Sequence, residues 1–151
     1  MAPPGEQTRE TTVRAFFRRY ETLFNQSLGG TADMDEVAAL YAPEFIAASP
    51  AGVLAGKNDD QLRTAMAQGH ARYRAMGTRE MRIRDFRISP MDDHHCVAHV
   101  GWTATYARKD QPETAIDFDV HCFVQQLNGE PKVVGWVSGD EQALPRRHGN
   151  I

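Results

Sequence analysis

Acidic and imidazole side chains alternate along one stretch of the chain in a pattern that could perform acid–base chemistry. Asp117, Asp119 and His121 occupy every second position between apolar residues. This spacing is the period of a β-strand, so the three side chains are expected to share one face of a sheet. A carboxylate beside an imidazole raises the imidazole pKa and can create a general acid–base pair, for which Asp119 and His121 are the candidates.

Two other interpretations of the same cluster stay open. Two histidines and an aspartate could hold a metal ion, and two carboxylates with two imidazoles are equally typical of a polar dimer interface. We favour the interface and predict neither a metal site nor a cofactor. The sequence contains no glycine-rich phosphate loop, Cys-x-x-Cys or His-Glu-x-x-His pattern.

A second alternating run, residues 94–106, predicts the strand that pairs with the first. Folding it back on residues 114–124 about the polar connection at 108–112 sets Trp102 opposite Phe118. A slip of one residue would place apolar side chains opposite polar ones on both faces, so the pattern favours this register. On the apolar face the expected pairs are Trp102–Phe118, Val100–Val120, Ala98–Cys122 and Ala104–Ile116, and on the polar face His99–His121 and Thr103–Asp117.

A third strand, residues 132–138, follows a turn signal at Asn128-Gly129. If that turn is two residues long, Trp136 joins the polar face, whereas a change of one residue in the loop puts it on the apolar face. Pro131 leaves the loop length open. We predict that two copies of the chain meet through the polar face, with His99, His121, Phe123 and Trp136 as interface candidates.

The upstream half of the chain predicts elements that cover the apolar face. A helix from Thr8 to Gly29 is followed by a short helix capped by Asp33, and Pro43 ends that short helix. Residues 44–49 and 53–56 form a hairpin, and a third helix starts at Asn58. The first helix shows the three- and four-residue spacing of an amphipathic helix, with an inner stripe of Val13, Phe16, Phe17, Tyr20, Leu23, Phe24 and Leu28.

Along the strand at residues 79–90, the apolar positions move from one face of the strand to the other. Met81 and Ile83 share one face and Phe86 and Ile88 the other, so an extra residue near Arg84-Asp85 would bring all four together. We therefore predict a β-bulge there, which also curves the sheet. The arginines of this strand could form a nucleic-acid patch, but a charged edge strand is the interpretation that we prefer.

Composition sets broad limits on the class of protein. The 151 residues are 41% apolar and 25% charged, which is ordinary for one globular domain. A net charge of −3 argues against a nucleic-acid partner, and no apolar run approaches the ~20 residues that cross a membrane. The N-terminus has no secretory pattern, so we expect a cytoplasmic protein. Cys96 and Cys122 are expected to be buried thiols on the apolar face.

The order of elements is helix, short helix, hairpin, helix and four long strands, and it resembles the nuclear transport factor 2-like fold. That fold also hosts ketosteroid isomerases and SnoaL-type polyketide cyclases. The resemblance covers residues 8–142, between tails at 1–7 and 143–151. It implies an α+β cone, in which a curved antiparallel sheet wraps around three N-terminal helices, and a homodimer that uses the outer sheet face. The local similarities are Phe16-Phe17 with Tyr20, residues 41–45, residues 56–59 and residues 73–78.

In such a cone the ligand pocket lies on the helix-covered face, which here suits a flat apolar or aromatic small molecule. Tyr20 is the polar candidate because a buried phenol can offer its proton to a substrate oxygen. Filling of a plain core is the alternative for each lining residue. The predicted ligand-binding residues are Phe17, Tyr20, Phe45, Met66, Trp102 and Phe118.

Two functions therefore stay open. The first is a small-molecule pocket protein, for which the resemblance implies the chemistry of a cofactor-independent isomerase, cyclase or dehydratase. The second is a non-catalytic homodimeric binding or interaction module. An enzyme should carry an ionisable side chain with a shifted pKa inside the cone. The first strand offers no aspartate as a base, and Asp140 could lie at the pocket rim.

Overall fold

The computed structural model describes residues 4–31, 33–107, 112–127 and 129–139. Asp140, Asn128 and most of the polar connection at 108–112 lie outside these residues, as do residues 1–3 and 141–151. The elements are three helices, α1 (Pro4–Leu28), α2 (Met34–Ala38) and α3 (Asp60–Ala75), and six strands, β1 (Tyr41–Ser49), β2 (Gly52–Lys57), β3 (Thr78–Pro90), β4 (His95–Tyr106), β5 (Thr114–Gln125) and β6 (Lys132–Ser138).

The six strands form one curved, open sheet in the order β2-β1-β6-β5-β4-β3. The predicted register of the two central strands is confirmed, since Trp102 lies opposite Phe118 and His99 opposite His121. The sheet is not antiparallel throughout, because β1 runs parallel to β6. The hairpin β1–β2 therefore joins the sheet beside the last strand, on the side away from β3.

The β-bulge predicted in β3 is present. The register between β3 and β4 shifts between Ile83 and Asp85, with Arg84 as the extra residue. The shift brings Ile83 opposite Trp102 and Phe86 opposite Val100, so apolar side chains on both sides of the bulge face the helices. The bulge therefore keeps a 13-residue strand amphipathic while the sheet bends.

Several element boundaries differ from the sequence predictions. Helix α3 begins at Asp60, with Asp59 as its cap, instead of at Asn58. Helix α1 begins at Pro4 instead of Thr8, and proline suits the first turn of a helix because its missing N–H has no intrahelical partner there. Pro43 lies inside β1 instead of before it, since β1 begins at Tyr41. The pairing of β1 with β6 shifts between Tyr41 and Ile46, and a proline is tolerated at such an irregularity.

Side chains of α1 bind the free edge of β3. The Asn25 amide nitrogen donates to the Met81 carbonyl (2.7 Å), and the Asn25 amide oxygen accepts from the Met81 N–H (2.8 Å). A Glu21 carboxylate oxygen accepts from the Ile83 N–H at 2.5 Å. The helix therefore satisfies backbone groups that a seventh strand would otherwise bind, and it protects this edge from pairing with another chain.

Close packing between β1, β2 and β6 depends on one glycine. The Phe45 ring stacks on the Trp136 indole, with centroids 5.5 Å apart and planes inclined by 17°. A β-carbon at Gly56, which lies opposite Phe45, would sit 2.6 Å from the Phe45 Cζ atom. Gly56 thus leaves the space that the Phe45 ring occupies.

The buried core lies between α1 and the inner sheet face. Cys96 and Cys122 are buried on that face, and burial raises the pKa of the Cys96 thiol. The part of the chain that the structure describes holds no helix long and apolar enough to cross a membrane.

We expect Asn25→Ala to lower the free energy of unfolding by about 1–3 kcal/mol, because it leaves the Met81 N–H and carbonyl without their partner. Gln26→Ala changes an exposed neighbour on the same helix and is the control. Urea denaturation followed by circular dichroism measures both. An equal, small effect of the two substitutions would contradict the edge role of Asn25.

Two glycine-to-alanine substitutions should change the stability of the fold in opposite directions. Gly56→Ala must displace Phe45 and should destabilise the fold by about 1–3 kcal/mol. Gly69 in α3 has no atom within 4 Å of an added β-carbon, so Gly69→Ala should stabilise the protein by about 0.5–1 kcal/mol through helix propensity. Thermal unfolding of both variants tests this, and a stabilising Gly56→Ala would exclude the packing argument.

Candidate functional site

A cavity of about 1060 Å³ lies between α1, α3 and the inner face of the sheet. Its wall is mostly apolar and aromatic, which suits a ligand with little charge. All six residues that the sequence predicted as ligand-binding meet at this cavity, although no ligand is present to test that role. They are Phe17, Tyr20, Phe45, Met66, Trp102 and Phe118.

Aromatic rings form a continuous band along the cavity wall. The ring centroids of Tyr20 and Trp102 are 6.0 Å apart, and those of Tyr20 and Tyr41 are 6.3 Å apart. Trp136 continues the band at 5.4 Å from Tyr41 and stacks on Phe45. A flat ring system can contact the faces and edges of such a band at the usual aromatic separations.

The position of Trp136 corrects one conditional prediction. Strand β6 begins in the register that a two-residue turn predicts, with Lys132 opposite Gln125, yet Trp136 pairs with Cys122 and lies on the apolar face. A register shift between Phe123 and Val124 changes the parity of β6. Trp136 therefore lines the cavity, and its predicted interface role would need a contact from this inner side.

Two tyrosine hydroxyls meet at the cavity. Tyr20 comes from α1 and Tyr41 from the start of β1, and their oxygens lie 2.8 Å apart. In a pair of this kind one hydroxyl donates to the other, and each phenol can act as a donor or an acceptor. The pair therefore places two polar groups in a mostly apolar wall.

A histidine that was not among the sequence-predicted site residues adds to the polar lining. His70 lies on α3, is 8% exposed and lines the cavity. Its ring packs on Phe24 at a centroid distance of 4.8 Å. Its Nδ1 atom forms a short hydrogen bond with the Ser27 hydroxyl on α1. The ring is thus held from two sides by α1.

His70 is a buried ionisable group inside the cone, of the kind that an enzyme would require. Burial lowers the pKa of His70 below its ordinary value, and the positive charge of Arg74 lowers it further. The Arg74 guanidinium is fixed nearby because it donates to the Ser27 carbonyl at 2.6 Å. At neutral pH the imidazole is therefore uncharged and able to accept a proton.

The polar cluster predicted from alternation lies on the opposite, outer face of the sheet. His99 and His121 place their Nδ1 atoms 2.7 Å apart, and the Ser89 hydroxyl contacts His99 Nε2 at 2.9 Å. Asp119 accepts from Arg84 at 3.0 Å. Asp119 and His121 therefore lie on the outer face, away from the cavity that Tyr20 lines.

The close contact of the two imidazoles has an electrostatic consequence. Burial lowers the pKa of His99, and the charges of Arg87 and His121 lower it further. The distance between the facing nitrogens leaves room for one proton, so one imidazole donates and the other accepts. Among the described residues, no three His, Cys, Asp or Glu side chains are grouped to hold a metal ion.

The sequence did contain a signal for the residue that the analysis missed. His70 lies four residues after Met66 and three before Tyr73, which both line the cavity from α3. A lone histidine in an apolar helical stripe points to a buried polar contact. Its partner Ser27 is 43 residues away in sequence, so only folding brings the two together.

Comparison with known proteins identifies the family. No curated protein sequence matches the chain. A ketosteroid isomerase-like protein from Erwinia carotovora atroseptica superposes with a TM-score of 0.60 at 13% identity, covering 85% of this chain and 93% of that one. A candidate scytalone dehydratase from Novosphingobium aromaticivorans gives 0.66 at 12% identity, with coverages of 88% and 84%. Aln2 from a Streptomyces species gives 0.67 at 16%, with coverages of 97% and 99%.

These likenesses, at low identity, show a common fold. The family model described as NTF2-like protein (DUF6841) matches residues 9–141, which include every described helix and strand except the first residues of α1. The chain therefore belongs to this family of NTF2-like proteins.

Proposed function

We propose that the chain is a cofactor-independent enzyme that removes a proton from a carbon atom beside a carbonyl group of a flat, largely apolar substrate. Isomerisation, dehydration and cyclisation of such ketones all begin with this step. The neutral imidazole of His70 at the cavity wall is the observation that carries the proposal. Proton removal at carbon needs a base that is unprotonated before the reaction and close to the substrate.

The Tyr20–Tyr41 pair supports the second half of the chemistry. Loss of a proton beside a carbonyl places negative charge on the carbonyl oxygen, and a hydrogen-bond donor in an apolar site stabilises that charge strongly. The pair comes from α1 and β1, whereas His70 comes from α3. A substrate spanning the cavity could therefore meet the base and the donor with different atoms.

The aromatic band supports the expected shape of the substrate. Trp102 and Trp136 are the two tryptophans of the chain, and both line the cavity. A flat bicyclic ketone such as 2-tetralone fits this class of ligand and has exchangeable protons beside its carbonyl. Quenching of tryptophan fluorescence by 2-tetralone would report binding independently of any reaction.

We expect the protein to accelerate the exchange of these protons for deuterium, followed by proton NMR in D₂O. His70→Gln should reduce the acceleration by about 100-fold or more, which is typical for loss of a general base. Tyr20→Phe and Tyr41→Phe should reduce it less, because either hydroxyl alone can still donate. His94→Gln changes an exposed histidine and should leave the rate unchanged.

The pH dependence has a definite sign. A base works only when it is unprotonated. The exchange rate should therefore rise with pH through the His70 pKa, which lies below its ordinary value, and stay level above neutral pH. A rate that falls across this range would assign His70 to acid chemistry. Full activity of His70→Gln with retained fluorescence quenching would leave only a binding role for the cavity.

We further propose that the chain forms a homodimer through the outer sheet face, since apolar side chains are exposed there. Ile46 and Phe123 lie over Gly135 from neighbouring strands and are 52% and 38% exposed. Val137 beside them is 41% exposed and pairs with His121. An apolar patch next to the imidazole pair is typical of a protein–protein contact.

Phe123→Asp should convert the dimer to monomers, because it would bury an unpaired charge in the contact. Leu127→Asp alters a more exposed residue in the connection that follows β5 and should leave the mass unchanged. Light scattering coupled to size-exclusion chromatography measures both. A monomeric parent protein, or a dimer that survives Phe123→Asp, would exclude this interface.

A further inference from the structure

We propose that Ser27 and Arg74 are positioning residues that together hold His70 as a neutral imidazole with its proton on Nδ1 and its lone pair on Nε2. This inference rests on the proposed base role of His70. It adds to that role the contacts that select one tautomer and one charge state of the His70 imidazole. Both positioning residues act from outside the cavity wall.

The contacts of the ring determine which nitrogen is available. Nδ1 is occupied by the Ser27 hydroxyl. Among described residues, the buried side-chain nitrogen and oxygen atoms without a hydrogen-bond partner are Asn58 Oδ1 and Thr78 Oγ1. His70 Nε2 is not one of them, so it is not both fully buried and unpaired. Because the ring lines the cavity, Nε2 is the nitrogen that can face a ligand.

The direction of the Ser27 bond follows from the chemistry required. If the Ser27 hydroxyl donated to Nδ1, Nε2 would carry the proton and could not accept another. If Nδ1–H donates to the hydroxyl oxygen, Nε2 is free to accept, and the same bond persists after protonation. Ser27 is in a helix, where a serine hydroxyl can direct its own proton to a carbonyl of the preceding turn.

Arg74 keeps His70 uncharged and is itself held in place by a contact with Ser27. Its guanidinium donates to the Ser27 carbonyl, which also accepts from the Gly30 N–H at 3.0 Å. The carbonyls at the end of α1 thus anchor a cation beside the imidazole, and this cation opposes a second positive charge on the ring. Ser27 therefore fixes the proton position while Arg74 limits proton uptake.

Nitrogen-15 NMR of histidine-labelled protein tests the inference directly, with His70→Gln to assign the signals. The tautomer is read from the nitrogen shifts and two-bond couplings at neutral pH. We expect the Nδ1–H form in the parent protein. Ser27→Ala should shift His70 toward the Nε2–H form that free imidazole side chains prefer, and Ser27→Thr should restore Nδ1–H. Thr22→Ala, which removes an exposed hydroxyl from the same helix, should change nothing.

A second set of variants tests the effect of the Arg74 charge on His70. Arg74→Gln should raise the midpoint of the His70 titration, Arg74→Lys should retain the low midpoint, and Arg72→Gln on the exposed side of α3 should have no effect. An Nε2–H tautomer in the parent protein, or a titration that ignores Arg74→Gln, overturns the inference. Because these signals do not depend on turnover, inactivity toward 2-tetralone would count against the proposed function alone.

Discussion

The hydrogen bonds between Asn25 and the backbone of Met81 hold the rest of the structure in place. They fix the rotation of α1 about its axis, because the side of the helix that carries Glu21 and Asn25 must face the edge of β3. Tyr20 and Phe24 lie on neighbouring positions of the same turns and are thereby aimed at the cavity, while Ser27 contacts His70. One helix thus closes a sheet edge, supplies part of the aromatic wall and contacts His70.

The electrostatic character of the cavity follows from the small share of polar groups in its wall. Its interior is lined mainly by rings and aliphatic chains, so a charge placed there loses its hydration. The same condition that keeps His70 uncharged would strengthen a hydrogen bond from the Tyr20–Tyr41 pair to a developing oxyanion. An apolar wall with isolated polar groups is therefore suited to general-base chemistry on a neutral substrate.

The two faces of the sheet perform different tasks, and alternation along β4 and β5 separates them. Trp102 and Phe118 point to the cavity, whereas His99 and His121 point outward. The charged outer groups are arranged in mutual contacts that suit a solvated or intermolecular face. Substitutions on the outer face should therefore leave the cavity wall unchanged.

The sequence by itself determined the local patterns: the register of β4 against β5, the bulge at Arg84 and the inner stripe of α1. Each follows from a periodicity that neighbouring residues repeat, so a slip would be costly. Only the tertiary structure decided the parallel joining of β1 to β6, the inward turn of Trp136 and the meeting of His70 with Ser27. These depend on one-residue shifts in strands and on contacts between distant segments, which no local period encodes.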